Sequence, residues 1–180
     1  SDGSRAEMCG NASRCFAKFL YEKGIVRKKR IEIETLAGRI VPELKLEDGI
    51  VKSVKVDMGK PLLRSRDIPF SESLDQVINY PIIVDGLEYR VTSMFMGVPH
   101  TVIFGDNIDD DYVIRIGRKI EESRYFPRKT NVNFVSLIDR DEIILRTWER
   151  GVGYTMACGT GASASLVAGI LNGKLNNKVL

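Results

Sequence analysis

Apolar and polar residues alternate with a period of two at Ile31, Ile33 and Thr35 against Glu32 and Glu34, the pattern of a half-buried strand. The same reading makes strands of residues 39–46 and 50–56, joined through Glu47-Asp48-Gly49, a hairpin signal. Farther on, residues 87–94 and 98–104 read as strands, and 131–138 and 142–148 as a second hairpin through Asp139-Arg140-Asp141. Three stretches carry a helical period instead. Residues 11–23 place Phe16, Phe19, Leu20 and Lys23 on one stripe and stop at Gly24. Val113, Ile116 and Ile120 recur at i, i+3, i+7. Residues 161–172 carry Ala162, Ala164, Leu166, Val167, Ala168, Ile170 and Leu171 with almost no polar face, so this last helix is expected to be enclosed by strands. Pro61, Pro69 and Pro81 break the intervening chain into extended segments, the expected crossing between two halves, at 1–60 and 61–180. Strands in hairpins with few helices predict an α+β fold.

Composition narrows the class. At 180 residues the chain can form a real core. It begins at Ser1-Asp2-Gly3-Ser4 without Met, and reads as a piece of a longer protein in which each half is partial. No apolar run reaches the length of a membrane span, and no membrane partner is expected. The net charge of +3 is spread along the chain, and the one dense basic run, Arg27-Lys28-Lys29-Arg30, has no interleaved aromatics. It reads as a solvated turn, with no nucleic-acid partner expected. Three cysteines, an odd number with no secretory signal in view, point to a reducing cytoplasm in which the thiols are available for chemistry.

Two of those thiols sit in variations on one theme. Met8-Cys9-Gly10-Asn11-Ala12-Ser13 and Ala157-Cys158-Gly159-Thr160-Gly161-Ala162 each set Cys-Gly and a small polar residue directly before a helical run. That is a turn with a thiol at a helix mouth, where backbone N–H groups bind an anion and the helix field favours thiolate. A duplicated pair suggests two halves facing one substrate. A base on one face of a carbon and an acid on the other is the equipment for inverting it. Cys15, inside the first helix, reads as an inert cysteine. Three cysteines and one histidine could in arithmetic hold zinc, but there is no Cys-x-x-Cys, and no metal is expected.

Asp2-Gly3-Ser4, Met8-Cys9-Gly10-Asn11 with Arg14-Cys15, Val56-Asp57-Met58-Gly59-Lys60-Pro61, Gly97 with Pro99-His100, Thr130-Asn131-Val132, and Trp148-Glu149-Arg150-Gly151-Val152-Gly153 running into Ala157-Cys158-Gly159-Thr160-Gly161 together resemble the diaminopimelate epimerase family, over most of the chain and in order. The resemblance implies a cofactor-independent epimerase of two pseudo-symmetric halves, each a sheet rolled around a central helix, acting as a homodimer on a small amino-acid substrate. It implies Cys9 and Cys158 as the catalytic thiols, with His100 and Glu149 flanking them. The substrate carboxylate is then expected on the amides of Gly10, Asn11, Gly159 and Thr160, and Asn131 and Arg150 at the substrate's distant end.

The chain departs from the family's usual pattern at three positions. Val98 stands where Asn precedes Pro-His, Tyr154 replaces an acid, and Ala12 replaces a glycine and needs a negative φ. Valine cannot make the hydrogen bonds of Asn to a polar substrate end, which keeps open a racemase of another amino acid such as lysine or histidine. From a different class, Gly159-Thr160-Gly161-Ala162-Ser163-Ala164 formally fits a dinucleotide fingerprint, although the preceding strand is expected to end some ten residues earlier. A non-enzymatic relative is the third reading.

Overall fold

The computed structural model describes residues 9–36 and 38–179; Asp2-Gly3-Ser4 and Met8 lie outside them. The chain divides into two compact units at Gly59/Lys60.

In the first unit a helix, α1 (Gly10–Glu22), is followed by four short strands, β1 (Ile33–Thr35), β2 (Gly38–Ile40), β3 (Glu43–Glu47) and β4 (Ile50–Lys55). They pair as two antiparallel hairpins. Between β3 and β4, Asp48 and Gly49 both take positive φ, 50° and 79°, the backbone a tight hairpin of right-twisted strands requires. α1 rests against β4. The face it buries is not the expected one. Ser13 and Ala17 are buried, whereas Phe16 and Phe19 remain 48% and 50% exposed. Small side chains let the helix backbone approach the hairpin, so the stripe turns by about one residue and only Leu20 is shared between the two readings. Ala17 meets Ile31, Leu44 and Val51 in a small core of its own.

The second unit is built on a six-stranded sheet in the order β10-β9-β8-β7-β6-β5. Its elements are β5 (Val77–Val84), β6 (Leu87–Met96), β7 (Val98–Phe104), α2 (Asp110–Glu121), β8 (Asn131–Leu137), β9 (Ile143–Glu149), β10 (Gly153–Thr155) and α3 (Gly159–Leu171). All pairings are antiparallel except β7 with β8, which run parallel across the α2 crossover. The mixed α+β class is therefore as the sequence predicts. Pro81, read as a breaker, instead lies inside β5, opposite Arg90. The correction has a simple cause: β5 is an edge strand, where a residue that cannot donate is tolerated.

Side-chain alternation gives the sheet two different faces. One carries Val91, Ile103, Val132 and Phe134, packed against Val113, Ile116 and Ile120 of α2. Gly117 of α2 is the close-approach point there, because a Cβ would strike Trp148. The opposite parity, His100, Val102, Asn133 and Thr147, faces the side on which α3 lies against β6, β7, β8 and β9. α3 buries only its small residues, Gly161, Ala164, Ser165, Ala168 and Gly169. The expectation of full enclosure is not met among the described residues, since Ile170 and Leu171 are exposed. The sheet covers one side of the helix and leaves its larger apolar side chains on the other.

Candidate active site

The two cysteine turns have one local geometry. Cys9 caps α1 with φ −137° and ψ 112°, and Cys158 caps α3 with φ −131° and ψ 109°. Each sulfur accepts from the third amide of its helix, Ala12 N at 3.5 Å and Gly161 N at 3.3 Å. In each, the fourth amide, Ser13 N or Ala162 N, bonds the cysteine carbonyl. The amides at the first two positions are then Gly10 and Asn11 in one helix, Gly159 and Thr160 in the other. Ala12 lies within α1 and so keeps the negative φ it needs.

These caps are chemically unusual. Sulfur is a weak acceptor, and cysteine is not among the residues favoured at helix starts. α2 shows the ordinary solution, with Asp109 accepting from Tyr112 N at 2.7 Å and two further acids in its first turn. α1 and α3 have no acid in the first turn. An anion would be repelled at the mouth of α2 and attracted at the mouths of the other two.

Cys9 is exposed and Cys158 is 9% exposed. The expectation that the helix field would favour the thiolate fails at Cys158. Burial pushes its thiol up, and Glu149 adds to this, against the lowering bonds from Thr160 and Gly161. Desolvation outweighs the helix end, leaving a protonated thiol at neutral pH, which is the form a general acid needs. Thr160 Oγ1 lies 3.3 Å from its sulfur. Packing around the turn is tight, because a Cβ at Gly161 would collide with Asn133 Oδ1 and crowd Cys158.

The remaining expected residues of this unit come from neighbouring strands. His100 on β7 pairs in register with Asn131 on β8, and Glu149 ends β9. His100 is fully buried. Burial first, and Arg150 second, lower its pKa to about 3, so the imidazole is neutral. Its Nδ1 lies 3.1 Å from Asn133 Nδ2, while Nε2 has no partner among the described residues. Asn131 Oδ1 accepts from the Arg150 backbone N–H at 2.7 Å, and the exposed Arg150 side chain reaches Arg128 O at 3.2 Å. Glu149 accepts from Thr155 Oγ1 at 2.6 Å. In the other unit, Asn11 accepts from Arg14.

Three residues that organise this region were missed in the sequence. Glu121 on α2 is buried and accepts from Trp148 Nε1 at 2.7 Å and from Gly151 N at 3.0 Å, tying down both sides of the Glu149-Arg150 turn. Asn133 and Thr147 are buried on the His100 face. Asn133 had a signal, a polar residue at an inward position of an otherwise apolar strand. Glu121 had none, lying on a helix rich in charges. Tyr154 is accounted for locally: it donates to Asp110 Oδ1 at 2.8 Å, an acid that also takes Arg146 Nε at 2.7 Å. Its strand, β10, was not foreseen and ends at Thr155, three residues before Cys158.

Comparisons with known proteins bear on the family and the fold. The diaminopimelate epimerase of Caldanaerobacter subterraneus subsp. tengcongensis is 51% identical over 179 residues, which cover 99% of this chain and 65% of that protein. That of Pelotomaculum thermopropionicum is 50% identical over 178 residues, 99% of this chain and 64% of the relative. The chain thus spans about 65% of the length of these curated relatives. Among solved structures, a probable proline racemase from Agrobacterium radiobacter with bound carbonate superposes with a TM-score of 0.70 at 18% identity, over 98% of this chain and 56% of that one. A hydroxyproline epimerase from Agrobacterium vitis with bound trans-4-hydroxy-L-proline gives 0.67 at 19% identity, over 94% and 54%. At such identities these structures show the fold alone. Residues 1–63 and 92–180 match the family described as diaminopimelate epimerase, and the chain belongs to that family.

Proposed function

We propose that this chain supplies the two acid–base thiols of a diaminopimelate epimerase, interconverting the LL and meso forms by α-proton transfer without a cofactor. The observation that carries the reading is the pair of cysteine-capped helix starts, each with the same backbone angles and the same N–H to sulfur contact. The 51% identity to a curated diaminopimelate epimerase supports the substrate.

Removing the α-proton leaves charge that spreads onto the carboxylate as an enediolate. In the absence of an electron sink, protein donors must stabilise it. A helix end contributes at most about 2 kcal/mol, whereas each preorganised oxyanion donor contributes roughly 2.7–4 kcal/mol. The amides of Gly10, Asn11, Gly159 and Thr160 are therefore the main source of stabilisation, and the helix fields add to them. One cysteine takes the proton as thiolate while the other delivers one as thiol. In this scheme Cys158, with its raised pKa, is the thiol in the resting protein. His100 and Glu149 serve the thiols, and Asn131 and Arg150 hold the distal end of the substrate. The same reading places the enzyme in lysine and cell-wall precursor synthesis, in the cytoplasm, as a homodimer.

A second substrate reading rests on Val98. It shares the sheet face of His100, two residues away on β7, and presents a methyl surface where the family usually has an amide. A racemase of another amino acid follows if that surface sets the distal pocket. Chiral chromatography after incubating the full-length protein with LL-diaminopimelate, lysine, histidine and proline in parallel separates the two. Meso product from LL-diaminopimelate supports the proposal, and inversion of another amino acid alone replaces its substrate. No inversion of any of them rejects it.

A further inference from the structure

Asn133 stands at the junction of four elements, and its contacts fix the state of the histidine beside it. It is fully buried on β8. Its Nδ2 lies 3.3 Å from Thr101 O on β7 and 3.1 Å from His100 Nδ1, and its Oδ1 accepts from Thr147 Oγ1 on β9 at 3.2 Å. Oδ1 also closes over Gly161 of α3, where any Cβ would meet it.

These contacts leave one arrangement of protons. A backbone carbonyl only accepts, so the amide end facing Thr101 O must be the NH2 group. One of its hydrogens goes to Thr101 O and the other points at His100 Nδ1. Nδ1 must then offer a lone pair, and the proton of the neutral ring sits on Nε2. Thr147 can donate or accept and so meets either end of the amide; the Thr101 carbonyl fixes the orientation, because a flip would set two oxygens against each other at 3.3 Å.

We propose that Asn133 is a positioning residue: it holds His100 in the Nε2–H tautomer, so that the histidine presents a hydrogen-bond donor, and no basic lone pair, to the anionic groups of the reaction. Nε2 is buried and has no partner among the described residues, and an unpaired buried donor is costly to keep. The acceptor that suits it is an anion formed or bound during turnover, a thiolate or a substrate carboxylate oxygen. His100 therefore stabilises negative charge and is not the base that activates a cysteine. The kinetic part of this inference rests on the epimerase reading; the tautomer itself does not.

The test is 15N–1H long-range correlation NMR of the imidazole in the full-length protein at pH 7, with His100→Gln identifying the signal by its loss. The expected spectrum is a neutral ring with the proton on Nε2. Asn133→Leu should mix the tautomers and lower kcat by about tenfold to a hundredfold, the range for partners that orient metal-bound imidazoles, with KM little changed. In a His100→Gln background the same substitution should have little further effect on kcat, since Asn133 acts through the ring. A wild-type ring protonated on Nδ1, or doubly protonated, overturns the proposal, as does a full kcat loss from Asn133→Leu in the His100→Gln background. If Asn133→Leu does not fold, the wild-type spectrum decides. A protein without epimerase activity but with the Nε2–H ring rejects the functional reading and leaves the tautomer assignment standing.

Discussion

Cys9 and Cys158 adopt the same capping conformation to within 6° in φ and 3° in ψ, with φ −137° and ψ 112° against φ −131° and ψ 109°. Their burial differs, exposed at one and 9% exposed at the other. The backbone repeats, while solvation distinguishes the two thiols.

Because serine is a strongly preferred helix cap and cysteine is not, Cys9→Ser and Cys158→Ser should keep stability or raise it by about 0.5–1 kcal/mol. Epimerisation should nevertheless fall by at least about a hundredfold in each, the lower bound for losing a positioned acid–base group. Thermal unfolding and turnover measured on the same preparations check both statements. Substantial turnover in either variant would remove that thiol from the mechanism.

Gly161 and Gly10 occupy different surroundings in their respective helix starts. A Cβ at Gly161 would overlap Asn133 Oδ1 and press on Cys158, whereas at Gly10 its nearest neighbour is Arg14 Nη1 at 3.6 Å. Gly161→Ala should therefore cost about 1–3 kcal/mol, and Gly10→Ala should change stability by less than about 0.5 kcal/mol. Chemical denaturation of both variants provides the comparison. Equal effects would show that the turn at Cys158 is more yielding than its packing indicates.

Much of this was legible in the sequence, and the omissions share a cause. The hairpin through Asp48 and Gly49 could be read because turn chemistry is local. The cysteine turns could be read because cap, glycine and helix are adjacent along the chain. What escaped depends on partners remote in sequence. Phe16 and Phe19 form an apolar stripe that does not face the hairpin, because Ser13 and Ala17 allow a closer approach. Pro81 is accommodated by an edge position that only the sheet order reveals. The raised pKa of Cys158 follows from burial, which no helix-start motif encodes. Glu121 and Asn133 gain their roles from Trp148, Gly151, Thr101 and Thr147, each at least 14 residues away along the chain.

Glu121 holds the turn that carries Glu149 and Arg150 through two bonds, from Trp148 Nε1 and Gly151 N. Glu121→Ala leaves both donors without their acceptor and should cost about 1–3 kcal/mol. If Arg150 binds the distal end of the substrate, KM should rise more than kcat falls. Steady-state kinetics beside a melting curve tests this, and an unchanged KM would separate the turn from substrate binding.

His100 supplies a pH dependence of stability. Its folded pKa, lowered to about 3 by burial and then by Arg150, lies below the roughly 6.5 of an unfolded histidine. Between these values the unfolded chain binds the proton more readily. The contribution is thus fully present above about pH 6.5 and is lost as pH falls toward 3, at up to about 1.4 kcal/mol per pH unit. Asp110 and Glu122, whose pKa values are lowered by hydrogen bonds from Arg146 and Lys129 respectively, act in the same direction at lower pH. Unfolding curves from pH 7 to 4.5 for wild type and His100→Gln isolate the histidine, and parallel curves would mean that its ring is not held neutral.

The central claim, proton transfer between two thiols across one carbon, is tested most directly by the fate of solvent deuterium. LL-diaminopimelate is incubated with the full-length protein in heavy water, without added cofactor, and stopped at low conversion. The account predicts deuterium at the inverted carbon of the meso product and little in the recovered LL substrate, because the proton leaves to one thiol and the deuteron arrives from the other. Equal label in product and recovered substrate would show a single base serving both faces and would contradict it.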